Sequence, residues 1–228
     1  MTTANQVPMH WRRAWRSLRE LLREPDDTAK AIEVNFAIGA RDFERGFQRF
    51  AASQSGAALV ADRPSLAAAL SDRDALARLP ADSLGRAYLE YLERTGFAPT
   101  GLVELQDEVR RTWEGRAWLA PMDPVRLWFL ERITLIHDLS HVVTGYATDD
   151  AGEATLLVFA QAQEGGRANG LLTAGATFEM VRNSGVSWLS WVRGVWRRGR
   201  RAENLFRLPW EELLPLRLST VRALARID

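Results

Sequence analysis

Apolar residues recur at intervals of three and four along most of the chain, the spacing of one face of an α-helix. No segment alternates apolar and polar residues convincingly over six positions. The sequence therefore predicts an all-α protein, a single-domain multi-helix bundle over residues 1–228 whose residues 1–25 form an amphipathic, peripheral N-terminal helix. The predicted helical segments are 10–24, 28–52, 62–79, a short helix opened by Pro80 and Asp82 or Ser83, 102–114, 122–144, 151–163, 171–182, 186–198 and 209–226.

The segment 122–144 has the clearest boundaries. Asp123 followed by Pro124 is typical of a helix start, with the aspartate as N-cap and proline at the first helical position. Gly145 is typical of a residue just beyond a helix end. After a short loop the pattern resumes over 151–163, which predicts a helix–loop–helix.

Two of the three histidines of the chain, His137 and His141, lie in this helix. A spacing of four places both side chains on one face, with Cβ atoms about 5–6 Å apart. At that spacing two imidazoles can bind one divalent metal. The residues one turn before His137 are mainly apolar, so this face is predicted to be buried.

Two carboxylates complete a candidate metal motif. Asp138 lies beside the histidine face, and Glu153 lies in the first turn of the next helix, from which it could fold back. Nitrogen and oxygen ligands together suit Zn²⁺, and also Mn²⁺, Fe²⁺ or Co²⁺. Four protein ligands would fill a tetrahedral metal site. Substrate or water could then bind the metal only if it takes more than four ligands or if Asp138 does not bind it directly.

The same residues also have structural interpretations. His137 and His141 could be hydrogen-bonded core residues. The run from Asp150 to Glu153 resembles a capping box, in which Glu153 bonds back to the N-cap amide. The residues alone leave these alternatives open.

Composition excludes several classes of protein. The chain has no cysteine, which excludes disulfides, thiolate metal sites and cysteine nucleophiles. A net charge of +1 provides no global field for capturing nucleic acid, so no nucleic-acid partner is expected. No apolar run is long enough for a transmembrane helix, and the N-terminus lacks the apolar core of a secretory signal.

Tryptophan is abundant, with nine in the chain. Residues 186–201 combine Trp188, Trp191 and Trp196 with several arginines, a combination that suits the headgroup region of a membrane surface. The alternative is a core helix with an arginine-rich solvent face.

The histidine motif has the form of a known signature. His137-Asp138-x-x-His141, followed after eleven residues by Glu153, resembles the H-D-x-x-H-x11-E signature of the coenzyme Q biosynthesis protein 4 family. The similarity covers roughly residues 70–228. It includes Leu84-Gly85-Arg86-Ala87-Tyr88, Arg132, Gly145-Tyr146, Gly152-Glu153, Gly199-Arg200-Arg201-Ala202, Trp210-Glu211 and the stretch from Leu213 to Ile227.

The resemblance implies an all-helical, peripherally membrane-bound homodimer that binds a divalent metal, commonly zinc, through His137, Asp138, His141 and Glu153. It implies a role in ubiquinone synthesis, both in organising partner enzymes and in catalysis. The implied reaction is an oxidative decarboxylation that replaces the C1 carboxyl of a polyprenylated hydroxybenzoate with a hydroxyl. Residues 1–20 look like an ordinary amphipathic helix, whereas mitochondrial members carry a targeting segment. A bacterial or otherwise untargeted member is therefore expected, at the cytoplasmic face of the bacterial inner membrane.

Two further residues are candidates for substrate binding. Arg132, about one and a half turns before His137, could pair with the ring carboxylate; the alternative is a salt bridge. Tyr146 could donate to a ring oxygen; the alternative is packing at the helix end.

The rival functions come from other classes. The main alternative is a non-catalytic prenyl-lipid-binding scaffold of the ubiquinone biosynthesis complex. A His-Asp phosphohydrolase is a weaker interpretation, because only His10 is available upstream. A zinc peptidase is also weak, because Asp138 is one methylene shorter than the usual glutamate base.

Overall fold

A computed structural model describes residues 8–113 and 122–227 of the chain. Within these ranges there are fourteen α-helices and one short 3-10 helix, and no β-strand, which confirms the all-α prediction. The α-helices are α1 Trp11–Leu21, α2 Thr28–Ile38, α3 Ala40–Ala51, α4 Gln54–Asp62, α5 Leu66–Ser71, α6 Arg73–Arg78, α7 Leu84–Thr95, α8 Gly101–Trp113, α9 Pro124–Thr144, α10 Asp150–Glu164, α11 Arg167–Ser184, α12 Trp188–Arg201, α13 Trp210–Leu213 and α14 Leu218–Leu224. The 3-10 helix is Leu205–Arg207.

Three segments predicted as single helices are each divided in two. Gly39 separates α2 from α3, and a Cβ there would lie 2.5 Å from the carbonyl oxygen of Asn35. Asp72 separates α5 from α6, because its side chain accepts the N–H of Ala75 and caps α6. Pro215 separates α13 from α14, since proline lacks the N–H that a continuous helix needs.

The predicted boundaries of α9 are confirmed. Asp123 is the N-cap, Pro124 is the first helical residue, and Gly145 is the left-handed C-cap. Helix α4 was not predicted from the pattern. The predicted end of the 102–114 helix near Gly115 lies outside the described residues, as do residues 1–7.

The described residues form two compact units. The first comprises residues 8–46, 105–113 and 149–201, and the second comprises residues 47–104, 122–148 and 202–227. The prediction of one domain over 1–228 stays a prediction.

The core of the first unit surrounds Trp113, which is fully buried. The ring of Phe36 lies 5.9 Å from the Trp113 ring, and the Arg13 guanidinium lies 4.1 Å above it. Helices α10 and α12 approach closely at Gly199, where a Cβ would be 2.8 Å from the carbonyl oxygen of Phe159. Packing therefore accounts for the glycine of the G-R-x-A stretch.

Helix α9 runs through the second unit and packs against α5, α7 and α14. Its Phe129 ring lies 4.9 Å from that of Phe50. Beside it, the N–H of Gly85 donates to the carbonyl oxygen of Leu214 at 2.8 Å. A Cβ on Gly85 would be 2.4 Å from Leu79 Cδ1 and 3.2 Å from the Leu214 carbonyl oxygen, so a residue without a side chain suits this contact in the L-G-x-x-Y stretch.

Removing the cap of α9 is expected to destabilise the fold. The Asp123 carboxylate accepts the N–H of Arg126 at 2.9 Å, and this bond is the main cause that lowers the pKa of Asp123. Asp123→Ala should lower the free energy of unfolding by about 1 kcal/mol, while Asp123→Asn keeps an acceptor and most of the stability. Urea unfolding at neutral pH measures both, and an Ala variant as stable as wild type would contradict the expectation.

The pH dependence follows from the sign of the shift. Because the folded-state pKa of Asp123 lies below its unfolded value, the carboxylate contributes stability above the unfolded pKa. That contribution is lost as pH falls through the folded-state pKa. The difference between wild type and Asp123→Asn should therefore shrink in acid.

Candidate metal centre

The two histidines of α9 point their Nε2 atoms at each other. These atoms are 3.4 Å apart, and the ring planes are nearly perpendicular, at 84°. Two imidazole ligands at 2.0–2.1 Å from one tetrahedral ion have nitrogens about 3.3–3.4 Å apart. His141 is buried and His137 is half-buried. The pair is thus spaced as two ligands of a single ion.

The tautomer of His141 follows from its second nitrogen. Nδ1 lies 3.0 Å from the carbonyl oxygen of Tyr146. A carbonyl can only accept, so Nδ1 carries a proton, and in the neutral ring the lone pair is then on Nε2. Gly145 makes this bond possible, because its φ of +76° ends α9 and turns the chain back. Such a φ is readily adopted only by glycine.

Glu153 lies in the first turn of α10. The N-cap of this helix is Asp149, whose side chain accepts the N–H of Gly152 at 2.8 Å. Glu153 is therefore one position beyond the third helical residue, and the capping-box alternative does not match this geometry. Glu153 belongs to the first unit and the two histidines to the second, so Glu153 as a third ligand stays a prediction.

The predicted set of His137, His141 and Glu153 is of the kind that catalytic zinc sites use. Two imidazoles and one carboxylate are a known catalytic ligand set, which leaves a fourth position for water or substrate. Asp138 lies in the second unit with the histidines, and its binding to the metal stays a prediction. The sequence had left open whether it binds the metal directly.

Asp138 faces α7. Its Oδ1 lies 3.4 Å from the hydroxyl of Tyr91, and the Tyr91 ring is nearly parallel to that of His141, with centroids 6.2 Å apart. Tyr88 stacks on Tyr91 in turn, at 6.2 Å. Burial raises the pKa of Tyr88, and the negative charge of Asp138 raises it further, so this phenol stays protonated near neutral pH.

Sequence reasoning did not assign Tyr88 or Tyr91 to the site. Two features of the sequence could have indicated these tyrosines. Tyr88 is the last residue of the L-G-x-x-Y stretch, and Tyr91 follows it by three positions, on the same helix face.

Arg132 is engaged by the C-terminal part of the chain. Its guanidinium donates to both carboxylate oxygens of Glu211, at 2.5 and 3.0 Å, and to the carbonyl oxygen of Leu208 at 3.1 Å. Only 1% of its side chain is exposed. This is the salt bridge that the sequence offered as the alternative. Substrate binding by Arg132 stays a prediction, and it would require this ion pair to open.

Tyr146 is half-buried, and its backbone carbonyl is the group that contacts His141. The proposed donation from its hydroxyl to a substrate stays a prediction.

Comparison with known proteins gives one family. The model of the family described as "Coenzyme Q (ubiquinone) biosynthesis protein Coq4" matches residues 11–111 and 114–228. A mitochondrial ubiquinone biosynthesis protein COQ4 homolog 1 of Culex quinquefasciatus is 28% identical over 162 residues, 71% of this chain and 53% of that protein. The mitochondrial COQ4 protein of Eremothecium gossypii is 25% identical over 208 residues, 87% of this chain and 58% of that protein.

The chain spans little more than half the length of these curated relatives. A crystal structure from Nostoc punctiforme, of a protein provisionally assigned to ubiquinone biosynthesis, has a TM-score of 0.65 at 16% identity. It covers 97% of this chain and 100% of its own. This likeness shows a shared fold.

Breaking the buried ion pair from one side is expected to be costly. Glu211→Ala leaves the buried Arg132 charge without its carboxylate, and should lower the free energy of unfolding by about 3–5 kcal/mol. Arg132→Met combined with Glu211→Leu removes both charges and should recover most of that loss. Glu212→Ala is the matched control, because Glu212 is exposed on the same short helix. A Glu211→Ala protein as stable as the control would refute this account.

Proposed function

The chain belongs to the coenzyme Q (ubiquinone) biosynthesis protein 4 family, and we propose on that basis that it acts on the C1 carboxyl of a polyprenylated hydroxybenzoate. The proposed reaction is an oxidative decarboxylation that replaces the carboxyl with a hydroxyl and releases CO₂. His137, His141 and Glu153 would hold a divalent metal, for which Zn²⁺ suits these ligands, with Asp138 as a fourth ligand or as a neighbour of the metal.

The single observation that supports this proposal is the spacing of the two Nε2 atoms at 3.4 Å, with the His141 proton fixed on the opposite nitrogen. A neutral imidazole with a free lone pair is the form that binds a metal. The chemistry supplied by a bound divalent ion is Lewis acidity, which withdraws electrons from a phenol ring and stabilises negative charge as CO₂ leaves.

The residues of the chain have separate roles in this scheme. The Tyr146 carbonyl orients His141, and the Tyr91 hydroxyl orients Asp138. Tyr88, which is fully buried, stacks on Tyr91 and so helps to hold its ring in place. Arg132 and Tyr146 are the candidates for contact with the carboxylate and the ring oxygen of the substrate.

Replacing His141 tests the proposal directly. His141→Ala should lose bound metal and CO₂ release together, down to background, because one of the ligands is gone. His10→Ala is the matched control, since His10 lies outside the motif. Elemental analysis of purified protein and release of labelled CO₂ from a prenylated 4-hydroxybenzoate are the two measurements. The exchange of carboxyl for hydroxyl is a two-electron oxidation, so the assay includes dioxygen as the oxidant.

Two outcomes would contradict the enzymatic proposal. Full CO₂ release by metal-free His141→Ala would exclude metal-dependent catalysis. Wild-type protein that binds the prenylated acid tightly and never releases CO₂ would favour the alternative of a non-catalytic prenyl-lipid-binding scaffold.

We further propose that the protein works at a membrane surface, at the cytoplasmic face of the bacterial inner membrane. Among the described helices, none is long and apolar enough to span a bilayer. Helix α12 buries only Val195 and Gly199, while the side chains of Trp191 and Trp196 are 50% and 42% exposed beside several arginines. Exposed tryptophan with arginine suits the headgroup layer. Other ubiquinone-biosynthesis enzymes and a second copy of the chain are the proposed protein partners.

Flotation with liposomes tests the membrane proposal. Replacing Trp188, Trp191 and Trp196 with serine should abolish co-flotation with vesicles that contain anionic lipid, because the apolar anchors are removed. The comparison variant replaces Trp11 and Trp15, which are exposed on α1, with serine. It measures how much the N-terminal helix contributes to vesicle binding. Undiminished flotation of the α12 variant would rule this helix out.

A further inference from the structure

The end of α9 leaves carbonyl groups that the helix itself does not satisfy. In an α-helix each carbonyl accepts the N–H four residues later. His141 O still receives the N–H of Gly145, at 2.9 Å. The next donor in sequence, the Tyr146 N–H, lies 3.4 Å from the hydroxyl of Thr144 instead. The turn that brings the Tyr146 carbonyl to His141 thus removes the usual partner of Val142 O.

A side chain from the far end of the chain supplies the missing donors. Arg222, on α14, donates from Nε to Val143 O at 2.8 Å and from Nη2 to Val142 O at 3.2 Å. A cation is also favoured at a helix C-terminus, where the helix dipole is negative. The two acceptor residues follow His141 directly.

We propose that Arg222 is a positioning residue for His141. It holds the last turn of α9 in the conformation in which His141 Nδ1 donates to the Tyr146 carbonyl and Nε2 faces His137. The guanidinium is suited to this task because its rigid fork reaches two carbonyls at once, whereas an ammonium is a single point charge. The consequence for metal affinity rests on the proposed function, and the consequence for the His141 tautomer does not.

The tautomer is measured on metal-free protein. Long-range ¹H–¹⁵N spectra of histidine-labelled protein report which ring nitrogen carries the proton, and the chain has only three histidines to assign. Wild type should show His141 protonated on Nδ1. Arg222→Ala should shift a measurable fraction to Nε2, and Arg222→Lys should fall between the two.

Metal affinity is measured with Co²⁺ on the full chain after chelator treatment, from the visible absorption of the bound ion. Arg222→Ala should weaken Co²⁺ binding about tenfold, the scale typical of groups that orient a metal-binding histidine. Arg222→Lys should recover part of the loss.

Two controls separate positioning from general stability. Arg226→Ala removes a charge from the same segment, where Arg226 forms an exposed ion pair with Glu203. Val221→Ala loosens the packing of α14 at a fully buried position. Both should keep Co²⁺ affinity within twofold of wild type and leave the tautomer unchanged, although Val221→Ala should lower the melting temperature.

The outcomes are distinct. An unchanged His141 tautomer in Arg222→Ala overturns the inference, and so does a change that Val221→Ala reproduces at equal loss of stability. Wild-type protein that binds neither Co²⁺ nor Zn²⁺ overturns the proposed function, while the tautomer shift still decides the role of Arg222. If Arg222→Ala does not fold, Arg222→Lys provides the same comparison.

Discussion

A glycine with a φ of +76° ends α9 four residues after His141, and the backbone beyond it turns the Tyr146 carbonyl onto the imidazole. This one hydrogen bond decides which ring nitrogen can accept a proton or bind a metal. The helix stop also leaves carbonyls at its end, which Arg222 satisfies from α14. The chemistry available at His141 is therefore set by how the helix terminates as well as by the residue itself.

Several residues of the family pattern outside the histidine motif have structural roles. Gly85 allows the start of α7 to contact the carbonyl of Leu214, and Glu211 supplies the carboxylate that neutralises the buried Arg132. Gly199 permits the close approach of α12 to α10. Within the second unit, the contacts of Gly85 and Glu211 tie the C-terminal segment to α7 and α9. The family pattern therefore includes residues that hold the surrounding helices together as well as the candidate metal ligands.

The sequence predicted those parts of the fold and site that depend on neighbours along the chain. The boundaries of α9 followed from Asp123, Pro124 and Gly145, and the paired histidines followed from helical spacing. The pairing of Arg132 with Glu211 links residues 79 positions apart, and no local pattern encodes it. The proline at position 215 is itself a local signal for a helix break. The segment was nevertheless predicted as one helix, because the apolar residues of α13 and α14 continue nearly the same helical spacing.

The placement of the tyrosines gives the site a built-in reporter. The chain has only three, and Tyr88, Tyr91 and Tyr146 all lie around the paired histidines and Asp138. Biosynthetic incorporation of fluorotyrosine would yield three ¹⁹F resonances, each originating within this neighbourhood. Occupancy of the centre by an ion, a lipid or a drug-like molecule would then be visible in a spectrum with no background from the rest of the polypeptide.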